Sequence, residues 1–279
     1  MRGISLDRPG HSGFSTATTP RSYLYYALST QHSAFRFTFY ALLLALTALG
    51  ALTAASALAS HPADVIYVDD SAMGANNGSS WPDAYESLQD GLAHANSGDE
   101  IWVAAGIYTP GANRSDTFQL ENGVEVYGGF AGGETQREQR DWEANRTVLS
   151  GDIDDNDGTD ASGVVTDTAN IVGANSYHVV TGSDTDASAV MDGFTITAGQ
   201  ANGDLPDDSG AGMYTISGSS TLANLTFSGN QASLSGGGDG GGMYNHSNSS
   251  PALTTVTFIG NTASDRGGGM ANYYGSSPT

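Results

Sequence analysis

Residues 210–234 read GAGMYTISGSSTLANLTFSGNQASL. A near-copy follows at 240–264, GGGMYNHSNSSPALTTVTFIGNTAS, and then the opening of a third at 267–279, GGGMANYYGSSPT. Met213, Met243 and Met270 stand 30 and 27 residues apart, and Phe227–Asn230 and Phe258–Asn261 repeat a Phe-x-x-Asn element 31 residues apart. A degenerate earlier member, Met191-Asp-Gly-Phe-Thr-Ile-Thr, places Phe194 33 residues before Phe227. One such unit cannot bury its own apolar face, so the units must stack and share a core. The third copy stops where Leu-x-x-Val-Thr-Phe is due, which predicts a longer parent protein.

The chemistry of the unit selects strands over helices. Leu225 and Phe227, or Val256 and Phe258, alternate toward its end, with Leu222 and Leu253 upstream, Thr between them, and Gly and Asn at the joints. A helical solenoid of similar period needs two amphipathic helices per unit, which runs such as GGGMYN would break. The expected fold is therefore all-β, a parallel β-helix whose coils pair strand to strand. Phe227 should lie over Phe258 in the core. Asn230 and Asn261 should stack at a turn, where Asn tolerates left-handed backbone, rather than bind sugar.

Upstream, residues 64–70 (DVIYVDD) read as a first strand and 101–108 (IWVAAGIY) as a buried one. Further strands are expected at 117–120, 124–127, 147–150, 178–181 and 194–197. Between the first two, residues 83–95 (DAYESLQDGLAHA) carry Tyr85, Leu88, Leu92 and Ala95 at helical spacing, with Asp83 as N-cap and Glu86 completing a capping box. A short helix there would cap the first coil and shield its strand edge. The organisation read from this is a leader over 1–61, an N-terminal cap with the first coils over 62–150, and parallel β-helix repeats over 151–279.

The leader follows from FRFTFYALLLALTALGALTAASALAS at 35–60, which lies behind Arg2, Arg8, Arg21 and Arg36. A basic segment, an apolar run and then small residues make a secretory signal peptide, with Ala55, Ala57 and Ala59 offering cleavage points between Leu58 and Ala63. An uncleaved anchor is the alternative, since the run is just long enough to span a bilayer. Cleavage makes the mature protein secreted or cell-surface (outer membrane-associated), with no membrane insertion of the mature domain.

Beyond the leader, five Arg and no Lys face 29 acidic residues. Phosphate recognition needs clustered cations, so nucleic acid and anionic lipid are poor partners. Calcium binding, or adaptation to high salt, would account for the acidity. No Cys is present, so packing and backbone ladders must hold the fold.

Several segments carry a family resemblance. SSWPDAYESLQDGLAHANSGDEIWVAAGIYTP resembles the opening of pectate-lyase-like right-handed parallel β-helix proteins, with Gly98-Asp99 and then Gly106 and Tyr108, one residue being inserted in the second pair. GGFAGGETQREQRDWEANRTVLSGDI and NSYHVVTGSDTDASAVMDGFTITAG resemble secreted bacterial right-handed β-helix or choice-of-anchor proteins. The GGGM and F-x-x-N repeats are similar to those of polymorphic outer-membrane proteins. The resemblance spans about 64–279 and implies a right-handed coil, a surface location and a C-terminal anchoring module. It implies no particular activity.

One stretch suggests a metal. GDIDDNDGTD places Asp152, Asp154, Asp155, Asn156, Asp157 and Asp160 within nine residues, beside Gly158. Calcium suits such a loop, although the spacing is not that of an EF-hand, and a solvated acidic loop is the other reading. A catalytic site is less legible. The hydrolase-type Asn-Thr-Asp, Asp-Asp and Gly-His-Gly motifs do not occur together, and the repeats hold only Asp239, Asp265 and Arg266. Asp184 and Asp186 sit in a turn-like segment near Asp192. His94 is expected in solvent, His178 packed in a strand, and His246 in a polar loop without an acid partner. Tyr214, Tyr244, Tyr273 and Tyr274 should stack on one another, or else present rings to sugar.

These features predict a monomeric, non-catalytic extracellular β-helix, adhesin-like or structural, with a polysaccharide or cell-surface glycan as partner. A polysaccharide lyase or glycoside hydrolase with its site on residues outside this sequence is the alternative. A calcium-stabilised surface-layer protein is a third reading.

Overall fold

A computed structural model describes residues 63–232 and 237–279. The leader over 1–61 lies outside the described residues. The fold is mostly β, and every pair of strands is parallel. The strands make one large curled sheet and two smaller ones. In the large sheet Val65–Val68 pairs with Glu100–Ala104, which pairs with Glu125–Phe130, then Val190–Asp192, then Thr221–Ser228. Thr221–Ser228 also pairs with Phe194–Thr197, which continues through Thr147–Ser150 to Gly106–Tyr108. Ala252–Ile259 completes the sheet on the other edge of Thr221–Ser228.

The repeat units stack as successive layers of a solenoid-like sheet. Leu222 pairs with Leu253, Leu225 with Val256 and Phe227 with Phe258. Met213, Met243 and Met270 form a second column, and Gln200–Ala201, Gln231–Ala232 and Thr262–Ala263 a third sheet. Equivalent residues therefore meet from layer to layer, and the main core runs from Ile66 and Val68 to Met243, with Leu253, Val256 and Phe258 packed against it. Asn230 does stack on Asn261: its Nδ2 donates to Asn261 Oδ1 at 2.9 Å and to Ile196 O at 3.0 Å, while its Oδ1 accepts from Gly199 N.

Two expectations about local structure are corrected. The helix is shorter than 83–95: it spans Leu88–His94, and its N-cap is Ser87, whose hydroxyl accepts from Gln89 N. Asp83 instead accepts from Ala75 N and Ser80 Oγ, and Tyr85 N donates to Tyr67 O. Pairing with the first strand outcompetes the helix until Ser87. The helix lies against Val65–Val68, Glu100–Ala104 and Phe118–Gln119, with Leu88 buried. The run IWVAAGIY is two strands, because Glu100–Ala104 and Gly106–Tyr108 pair with different neighbours on either side of a corner. Gly106 at that corner lies so close to the Asp70 carboxylate that a Cβ would meet it at 2.7 Å. No described helix is long and apolar enough to cross a membrane.

Candidate functional site

The layered strands turn alternate side chains outward. Ile196, Phe227 and Phe258 point into the core, so Thr195, Thr226 and Thr257, each one residue earlier and mutually in register, point out. This threonine column floors a cleft of about 450 Å³ whose other lining includes Trp142, Glu143, Arg146 and Asp160. The cleft deepens along the column: Thr257 is exposed, Thr226 half-buried and Thr195 only 8% exposed.

Two excursions from the coils build its walls. The first, residues 131–146, leaves the sheet after Glu125–Phe130 and returns at Thr147–Ser150. Arg140 anchors it: Nη2 meets Asp192 Oδ2 at 2.6 Å and Nη1 donates to Gly128 O at 3.0 Å, with the side chain only 8% exposed. The same guanidinium lies 4.9 Å from the Trp142 ring centroid and 5.0 Å from that of Tyr127. Gly129, at φ +94°, lets the wall approach, since a Cβ there would stand 2.6 Å from Trp142 Cα. Trp142 thus sits on a fixed cation and remains 37% exposed.

The second wall belongs to residues 151–176. Val165 N donates to Thr197 Oγ1 at 3.0 Å and its carbonyl accepts from Ser228 Oγ at 2.9 Å. Gly229 and Gly260, both at φ +60°, let Val165 and Thr166 come close, because a Cβ at either would lie 2.3 Å from a carbonyl oxygen. Across the cleft, Arg146 Nη1 faces Asp160 Oδ2 at 4.0 Å, with both groups about half exposed. An ion pair that open contributes little to stability.

The acidic loop contributes to this wall in a way the sequence did not suggest. Asp152 accepts from Asn156 N and Asp157 N, and Asp154 from Ala174 N. Asp157 accepts from Val172 N and Asn175 Nδ2, and Asp160 from Ser162 N and Val164 N. Burial raises the Asp157 pKa above the ordinary carboxylate value. Asp155 occupies a left-handed turn at φ +52°. These carboxylates cap their own loop's N–H groups, and among the described residues no three His, Asp or Glu side chains converge to hold a metal ion.

The other candidates serve the fold. His178 stands just before the strand Val180–Thr181 rather than in it, its side chain 11% exposed, with Nδ1 on Gly210 O at 3.1 Å, Nε2 3.5 Å from Asp207 Oδ1, and its ring stacked on Tyr214. Burial pushes its pKa down, against the pull of Gly210 O and Asp207. His94 is exposed, as expected, and in addition stacks on Tyr85 and bonds Asp90 O. His246 lies in the strand Met243–His246, not a loop, beside Ser247 and Tyr274. Tyr214 stacks on Tyr244 at a centroid spacing of 5.7 Å, as expected, and Tyr273 meets Tyr244 at 5.6 Å with its plane tilted. Tyr274 departs from the column: it meets His246 and is 74% exposed. Burial pushes Tyr244 up to about 12. Asp192 is the arginine-paired floor anchor, whereas Asp186 turns back on Ser188.

Of the residues that make the cleft, the sequence reading singled out Phe194 and Leu225 as repeat positions and Asp160 as a metal ligand, each for another role. Trp142, Glu143, Arg146 and the threonine column escaped it. The usable signal was the threonine preceding each inward residue, Thr195-Ile196, Thr226-Phe227 and Thr257-Phe258. Among protein-family models, curated proteins and solved structures, none matches this chain.

Proposed function

We propose that this chain is the secreted, cell-surface portion of a right-handed parallel β-helix protein of the pectate-lyase-like kind, adhesin-like and non-catalytic, that binds a glycan in the cleft between its two excursions. The observation that carries this reading is the combination in one cleft of an exposed indole, Trp142, with a row of outward hydroxyls at Thr195, Thr226 and Thr257. An aromatic body beside fixed hydroxyls suits a sugar, whose faces are apolar and whose rims are polar. The parallel register of the repeats and the basic-then-apolar leader support the fold and the surface location. Binding of the purified protein to an oligosaccharide array, lost in Trp142→Ala, tests it; an array with no bound glycan would refute it.

A second reading is a glycoside hydrolase, favoured by Glu143 and Asp160 lining one cleft from opposite walls. Paired carboxylates across a sugar are what such chemistry needs. New reducing ends released from a glycan panel, and abolished in Glu143→Gln, would establish it in place of the binding role.

A further inference from the structure

We infer that the cleft selects an uncharged polysaccharide lying along the stack of coils and turns away polymers of uronic acid. This rests on the glycan-binding reading and adds the ligand's charge and direction.

The direction comes from register. Thr195, Thr226 and Thr257 occupy equivalent positions on three adjacent strands, so their hydroxyls recur about every 4.8 Å across the sheet. A chain laid along that column meets the same donor and acceptor at each step. A chain laid along a strand would meet dissimilar residues instead, Asn224, Thr226 and Ser228 on one strand or Thr255, Thr257 and Ile259 on the next.

The charge comes from what each cation is already doing. Arg146 is the only basic residue of the lining, and it faces Asp160 across the cleft at 4.0 Å. The nearest buried cation, Arg140, is committed to Asp192 and to two carbonyls. Glu143 adds a second carboxylate to the lining, and the chain as a whole carries a formal charge of −21 without a single lysine. A uronate entering here would meet one half-exposed guanidinium that already faces Asp160, and two carboxylates against it. An uncharged sugar meets hydroxyls and indole without that repulsion.

Calorimetric titration of the protein with neutral oligosaccharides, β-glucan, xylan and mannan fragments, and with oligogalacturonate of equal length tests this at low and high salt. At least one neutral oligomer should bind, with little salt dependence, and oligogalacturonate should bind at least about tenfold more weakly at low salt. The double variant Glu143→Gln/Asp160→Asn keeps the Asp160 capping acceptor and removes both lining carboxylates beside Arg146, so it should gain oligogalacturonate binding. Wild-type protein that binds oligogalacturonate as tightly as the neutral oligomers overturns the inference and leaves glycan binding standing. If no oligosaccharide of either kind binds, the glycan reading itself fails. Circular dichroism of the variants separates lost binding from lost fold.

Discussion

Phe258 lies over Phe227 on the neighbouring parallel strand, ring centroids 5.1 Å apart and planes 10° from parallel. The same two residues stand 31 positions apart in sequence, so one coil consumes one repeat unit and returns the chain to the same column. Phe227 is fully buried, Phe258 half-buried on the next layer. Phe227→Ala should therefore cost about 3–5 kcal/mol, as truncating a buried aromatic does. Phe258→Ala should cost clearly less. Urea unfolding of the two variants gives the comparison, and equal losses would contradict the layer order.

Asn230 is fully buried and ties three layers together through Gly199 N, Ile196 O and Asn261. Replacing it with Ala leaves the Gly199 N–H and the Ile196 carbonyl without that partner, at about 1–3 kcal/mol for each buried group. Asn224 is half-exposed and its Nδ2 bonds Asp192; Asn224→Gly keeps the left-handed backbone at φ +50° and should cost far less. Thermal melting distinguishes the two asparagines.

The Arg140–Asp192 pair is nearly buried, at 8% and 15% side-chain exposure. Arg140→Met removes the cation and strands a carboxylate, a loss on the order of 3 kcal/mol. Because the same arginine holds the wall that carries Trp142, the indole should also become more exposed. A red shift of tryptophan emission in the folded variant checks this, and unchanged emission would show that the wall is held by other contacts.

His178 makes stability depend on pH. Its folded-state pKa is held below the ordinary value by burial, so the folded protein favours the neutral ring. That contribution is fully present above the unfolded pKa of about 6.5 and is lost as pH falls through the lower folded value. The melting temperature should fall from about pH 7 toward pH 5, and His178→Gln should flatten that slope. Asp70 and Asp157, whose pKa values are raised by burial, act with the opposite sign in the more acidic carboxylate range. A wild-type slope unchanged by His178→Gln would remove His178 as its source.

The acidic loop closes on itself through Asp152, Asp157 and Asp160, which accept backbone N–H groups. Millimolar calcium or EDTA should leave the melting temperature unchanged, whereas Asp157→Ala should lower stability by about 1 kcal/mol through the lost bonds from Val172 N and Asn175 Nδ2. A calcium heat in a titration would show that the loop rearranges to hold the ion.

Much of the architecture was readable in advance because it is repetitive. Parallel stacking puts residue i of one unit on its counterpart in the next, so Met213 on Met243 and Phe227 on Phe258 follow from the period alone. Strand ends were less readable. Ala105 hides a corner inside an apolar run, and the helix begins only where Tyr85 stops pairing with the first strand. Both are decided by which neighbour is present, not by local propensity.

By itself, then, the sequence determined the period, the strand character and the residues that line the core, because burial and strand pairing act identically in every unit. Only the tertiary structure decided the site. The cleft joins Trp142 and Arg146 of one excursion, Asp160 of another and a threonine column reaching Thr257, segments brought together by coiling and by two buried anchors, Arg140 and Val165. No local pattern encodes that meeting, since the walls lie outside the repeat and their positions depend on long-range hydrogen bonds to the floor.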